Sequence, residues 1–159
     1  MQPFKEQLLM YQQQHTNKMN RLTHYIGIPA IVFAILMVFN WISIDIAAKI
    51  QFSFSWILLV SVLIYYFNLN KRLSLAAAIV LIPFTWLATL IARPTPAPMH
   101  FTLFFILFFG GWILQFVGHF FEKQKPAFML SASQLLIGPL FVLIELIATL
   151  KLQKYFIEI

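Results

Sequence analysis

The chain alternates long apolar blocks with short polar breaks. Residues 3–24 are mostly polar, but Phe4, Leu8 and Tyr11 fall at helical spacing, as do Met19 and Leu22. This predicts a polar helix lying on a membrane surface or over a helical bundle. Five apolar blocks follow, at about 25–47, 52–69, 73–92, 101–121 and 130–150. Pro29 stands near the start of the first block, where a missing N–H costs least, and Pro83 stands mid-way through the third, predicting a kink. Lys71-Arg72 closes the second block, and Arg93-Pro94-Thr95-Pro96-Ala97-Pro98 makes a stiff loop before the phenylalanine-rich fourth. Gly138-Pro139 interrupts the last block, which also carries Glu145. Broken helices at membrane depth survive only inside protein or beside a wet cavity, so this segment is expected to cross in two pieces or to enter and return.

The pattern therefore predicts an all-α fold: a polytopic membrane bundle of four spans plus a broken or re-entrant C-terminal segment. It forms a single domain over 1–159, with an N-terminal helical segment at 1–24, the embedded bundle at 25–150 and a tail at 151–159. Composition agrees, since 61% of the 159 residues are hydrophobic and 10% are charged, against about 25% charged in ordinary soluble domains. The polar first 25 residues do not resemble a cleaved signal peptide, so the first apolar block is expected to stay in the protein.

With no cysteine, disulfides, thiolate metal sites and a cysteine nucleophile are excluded. The net charge of +6 lies in short clusters between apolar blocks, which fits orientation in a membrane and contact with lipid headgroups rather than nucleic acid. With the N-terminus in the cytoplasm, Lys5, Lys18, Arg21, Lys71, Arg72, Lys123 and Lys125 lie inside, and Lys49 and Arg93 outside. If the last block does not cross, Lys151 and Lys154 join the inside, nine against two; if it crosses, the balance is seven against four. The positive-inside rule favours the first arrangement. A bacterial inner membrane and the endoplasmic reticulum both fit.

This topology sorts the four histidines. His15 and His24 precede the first span and His119 closes the fourth, so all three share the cytoplasmic side. His100 opens the fourth span and lies about 28 Å from His119 at 1.5 Å per residue, which makes it an interfacial histidine. His15 and His24, nine residues apart, point to opposite faces of a straight helix. A shared site needs a bend, and Asn17 and Asn20 are residues able to end a helix. Glu122 follows His119 by three residues and shares its helix face. It is a candidate ligand or a partner for Lys123, Lys125 or a headgroup. Asn20 and Gln115 lie one turn from His24 and His119 respectively and are candidates to support the same network. Glu145, deep in an apolar block, must anchor a base, orient a histidine or ligate metal itself.

Four histidines are too few for the eight or more that membrane di-iron hydroxylases and desaturases use. Two or three imidazoles with a carboxylate or water suit mononuclear iron(II) and oxygen chemistry. Zinc remains open on ligands alone; ligand type also leaves haem open, though no haem-attachment motif is present. A rival from another class is a non-enzymatic membrane protein, a transporter or assembly factor, with His119, Glu122 and Glu145 in a proton or metal relay.

Three motifs carry a family resemblance. They are Tyr11-x3-His15-x4-Asn20-x3-His24-x2-Gly27-x-Pro29, Trp112-x2-Gln115-x2-Gly118-His119-x2-Glu122-x3-Pro126-Ala127, and Pro139-x-Phe141-x3-Glu145. In this order, and over nearly the whole chain, they resemble the DUF962, or Mpo1-like, family. The resemblance implies an Fe(II)-dependent membrane dioxygenase (an oxidoreductase of lipid metabolism) that consumes O2. It would perform α-oxidation, converting a long-chain 2-hydroxy fatty acid to the fatty acid one carbon shorter with loss of carbon dioxide. It also implies that His15, His24 and His119 hold the iron. The residues themselves add Glu122, so that His24, His119 and Glu122 are the expected catalytic group.

Overall fold

Asn17 decides where the first long helix begins. In the computed structural model, which describes residues 4–47, 50–92, 96–126, 129, 133–152 and 155, α1 (Phe4–Gln13) ends and the chain bends. Asn17 then caps α2 (Lys18–Trp41), its Oδ1 accepting from Met19 N–H at 2.8 Å. The polar helix expected over 3–24 is thus two elements. Residues 18–24 belong to the first span, because no breaker separates them from the apolar run that follows. Pro29 is consequently inside α2 rather than near its start.

The first apolar block also stops early. Trp41 is the last helical residue, and β1 (Ser43–Ala47) pairs antiparallel with β2 (Ile50–Ser53), Ile44 opposite Phe52 and Ser43 opposite Ser53. The Ile42-Ser43-Ile44-Asp45-Ile46 alternation has the period of a strand, and its β-branched residues fit a sheet better than a helix. Sequence blocks measured only by apolarity miss this switch. Ser53 then caps α3 (Phe54–Leu69), Asn70 separates it from α4 (Lys71–Ala92), and α5 (Pro98–Glu122) starts with proline at its first position.

The last apolar block is a single helix, α6 (Gln134–Thr149), and Gly138-Pro139 does not break it. The expectation of a broken segment is corrected here. Pro139 lies in the second turn, so only the short first turn of the helix precedes the one backbone bond it removes. Residues 93–95 of the proline-rich loop, Ala127 of the second motif, residues 130–132 of the last block, and 153–154 and 156–159 of the tail lie outside the described residues.

Three helices, α2, α4 and α5, are long and apolar enough to cross a membrane. With 16 residues each, α3 and α6 reach only about 24 Å, short of the roughly 30 Å hydrocarbon core. The Tyr66 hydroxyl near the end of α3 donates to Leu136 O at 2.7 Å, and Arg21 and Tyr25 near the start of α2 bind Glu145. Both ends of α6 therefore touch the end of the bundle where α2 begins and α3 finishes.

Helices in lipid gain little from apolar burial against one another, so close packing has to supply contact. Gly27 and Gly111 provide it between α2 and α5. A Cβ on Gly27 would lie 2.9 Å from Gly111 O, and one on Gly111 would lie 2.8 Å from Gly27 O. Gly118 packs equally tightly against Asn20, Thr23 and His24. These glycines set the spacing on which the site depends.

Candidate metal centre

His15 hangs from the bend between α1 and α2. Its Nδ1–H donates to Tyr11 O at 2.7 Å, and its ring stacks on Tyr11 with centroids 3.9 Å apart and planes within 2°. One α-helical turn after Asn20, the Nδ1–H of His24 donates to Asn20 O at 2.8 Å. A carbonyl only accepts, so both rings carry their proton on Nδ1 and present Nε2 with a free lone pair. His119 enters from α5, brought in by the Gly118 approach. The three ring centroids lie 4.4 Å (His15–His24), 5.0 Å (His15–His119) and 5.0 Å (His24–His119) apart. Their ligand nitrogens all fall within 4.8 Å of one another, and all three residues are buried.

The donor set fits a metal ion. His15 Nε2 and His119 Nδ1 are buried with no hydrogen-bond partner, a costly state that a shared cation would relieve. Burial pushes the His15 imidazole down to about 4, so it is neutral at pH 7 and able to ligate. Second partners are in place as well, since each of Tyr11 O and Asn20 O fixes the tautomer and tilt of one ring.

Glu122 is close by but otherwise engaged. Its Oε1 accepts from Thr16 N–H at 3.0 Å and Thr16 Oγ1–H at 2.5 Å, and its Oε2 from Asn17 N–H at 2.8 Å and Asn20 Nδ2–H at 3.0 Å. The carboxylate clamps the α1–α2 bend to the end of α5 and offers negative charge to the start of α2. Among the described residues, the clustered ligand atoms are those of the three histidines, without Glu122. Asn20 shares in this clamp, Nδ2 also donating to Gln14 O at 2.9 Å. Glu145 sits away from the imidazoles, paired with Arg21 and accepting from Tyr25 Oη at 3.0 Å. His100 stays at the far end of α5, where its Nδ1 accepts the Ala97 N–H at 3.2 Å.

Below the imidazoles opens a cavity of about 270 Å³. Tyr11, Gln115 and Gln134 line its upper part beside the histidines, while Ile28, Val32, Ile35, Leu59 and Val62 make its walls. Gln115 falls one turn before His119 and is buried, its Nε2 lacking a partner. Tyr11 and Gln134 join the site beyond the residues expected from sequence, and Phe141 packs on His15 with ring centroids 5.6 Å apart. Tyr11 is detectable as the residue one turn before His15, and Gln134 as the lone carboxamide within the last apolar block.

A buried cluster of three imidazoles heading an apolar cavity, in a bundle whose long helices fit a membrane, defines a small helical membrane protein with a metal-type centre. The chain belongs to the Mpo1-like family, whose model, described as 2-hydroxy-palmitic acid dioxygenase Mpo1-like, matches residues 1–150. The 2-hydroxy-palmitic acid dioxygenase MPO1 of Saccharomyces cerevisiae is 33% identical over 145 residues, which cover 89% of this chain and 78% of the yeast protein. No solved structure matches the chain.

Proposed function

We propose that this protein is an iron-dependent dioxygenase that shortens long-chain 2-hydroxy fatty acids by one carbon. The observation that carries the reading is the apolar cavity opening directly beneath the three imidazoles. A polar head at the histidines and an acyl chain in the cavity match an α-hydroxy acid. The family membership and the yeast relative's name support that substrate class.

In this reading His15, His24 and His119 hold the iron, and Glu122 sets the bend that aims His15 and His24 at it. Ferrous iron on imidazoles with open positions supplies the redox chemistry needed to use O2. The overall change balances without another reductant: R–CH(OH)–COOH and O2 give R–COOH, CO2 and H2O, the substrate's own carbon being oxidised as the C1–C2 bond breaks. Gln115 and Gln134 flank the head and orient it by hydrogen bonding. Tyr11 and the apolar walls keep bulk water from the reacting carbon. Arg21 is held by Glu145, and the exposed Lys18 and Lys123 draw a carboxylate to the surface. Four spans complete the arrangement: α2, α4 and α5 cross, and the shorter α3 returns the chain between α2 and α4, with β2 continuing its path. The N-terminus is cytoplasmic and α6 lies across the cytoplasmic end, where the contacts at both its ends hold it.

The test is oxygen uptake by protein loaded anaerobically with Fe(II), on addition of 2-hydroxypalmitate. Uptake matched by pentadecanoate is the expected result. Bound iron without uptake points to another substrate, and failure to bind metal moves the weight to a non-enzymatic membrane protein. The apolar lower walls of the cavity speak against a polar path through the bundle, which transport would need.

A further inference from the structure

The cavity has a floor, and its residues come from three helices. On α2 the lining runs from His24 through Ile28, Ile31, Val32 and Ile35 to Leu36. On α3 it runs from Tyr66 down to Leu58, and on α4 it ends at Thr85. Two cross-helix contacts fix the level of Thr85. The Phe33 and Phe84 rings meet at 5.0 Å, and Thr89 Oγ1–H donates to Asn40 Oδ1 at 3.0 Å. Thr85 therefore stands opposite Leu36. Beneath them Met37, Ala88 and Ala92 belong to a closed apolar cluster. Further down, Asn40 Oδ1 also accepts from the hydroxyls of Ser53 at 2.6 Å and Ser55 at 3.0 Å, tying α2 to the start of α3.

We propose that Leu36, Leu58 and Thr85 form a length gauge that sets the longest acyl chain the cavity takes. The proposal rests on the dioxygenase reading for its substrate class. The twelve residues from His24 to Leu36 span about 18 Å of helix. An extended chain of ~1.52 Å carbon–carbon bonds at near-tetrahedral angles advances about 1.25 Å per carbon, so roughly 14 carbons fit below the head. With the two carbons of the α-hydroxy acid head, the gauge admits a chain of about 16. Thr85 is a small, fully buried side chain at the end of the lining, so enlarging it shortens the cavity. The floor is kept in shape by the closed cluster and the Asn40 network beneath it, so it does not yield to a longer chain as a loop would.

The experiment compares a series from 2-hydroxydodecanoate to 2-hydroxyicosanoate on the wild-type protein and on Leu36→Phe, Thr85→Leu and Leu58→Ala. Displacement of a fluorescent long-chain fatty acid by the same series reads binding independently of turnover. Filling the floor with Leu36→Phe or Thr85→Leu is expected to lower the preference for the 16-carbon over the 12-carbon acid by about tenfold. Emptying it with Leu58→Ala moves the optimum to longer chains, and this cavity-forming variant guards against misreading a folding defect. Profiles that run parallel to the wild type in both assays overturn the gauge. Binding that shifts in this way in the variants, with no member of the series turned over by the wild type, leaves the gauge standing and overturns the dioxygenase reading.

Discussion

At the residue scale, the site is a set of buried polar side chains that keep atoms wanting a partner. Nδ1 of His15 and of His24 is committed to a backbone carbonyl, which leaves Nε2 of each ring facing the other imidazoles. Replacing His15, His24 or His119 by Ala is expected to take bound iron from about one equivalent to near zero, measured by metal analysis of the purified protein. His100→Ala keeps its iron, since this ring serves the start of α5 instead. Glu122 has a different task. Glu122→Ala leaves two backbone N–H groups and two side-chain donors at the bend without an acceptor, and is expected to cost about 2–3 kcal/mol in unfolding measurements in detergent. Asn17→Ala, which removes the cap of α2 and the Nδ2–H bond to Phe121 O, costs about 1 kcal/mol.

At the scale of elements, the α2–α5 crossing is what turns two distant histidines into neighbours. His24 and His119 are 95 positions apart in the chain and meet because Gly27, Gly111 and Gly118 let two backbones touch. Gly118→Ala forces a new methyl against Thr23, Asn20 and His24. Iron binding should weaken by at least about tenfold while helical content by circular dichroism stays unchanged. The neighbouring Gly110 has open space around its Cα, so Gly110→Ala is the matched control and leaves affinity intact. Retained affinity in Gly118→Ala would refute the claim that this crossing sets the site. Glu145 illustrates the opposite design, an acid spent on docking α6 to α2 through Arg21 and Tyr25.

At the scale of the whole molecule, the question is which surfaces share a side. The chain lacks cysteine, so single introduced cysteines report topology cleanly. Lys71→Cys, Lys125→Cys and Lys151→Cys are expected to label from one side of sealed vesicles with an impermeant maleimide, and Ile44→Cys and Met99→Cys from the other. Labelling of Lys151→Cys with the second group would mean that α6 crosses, against the contacts at both its ends. Such an arrangement places the metal-type centre at one face and the cavity floor well inside the bundle.

Much was legible in the chain itself. Apolar runs in lengths near a bilayer's thickness determine that this is a helical protein built for lipid, because a helix satisfies its own backbone there and a barrel strand would alternate over a shorter stretch. The placing of His15, His24 and His119 at block ends determines which histidines can meet, and the three motifs determine the family. Apolarity alone did not mark the turn from helix to hairpin after Trp41, since isoleucine suits either environment and its alternation with Ser43 and Asp45 is short. Nor could local pattern foresee that Gly138-Pro139 stays helical, a matter settled by packing on Tyr11 and Ile28. The tertiary structure alone decided which acid does what. Glu122 and Glu145 look alike in sequence, but a carboxylate's role is fixed by the donors that reach it, and those donors come from residues more than 100 positions away.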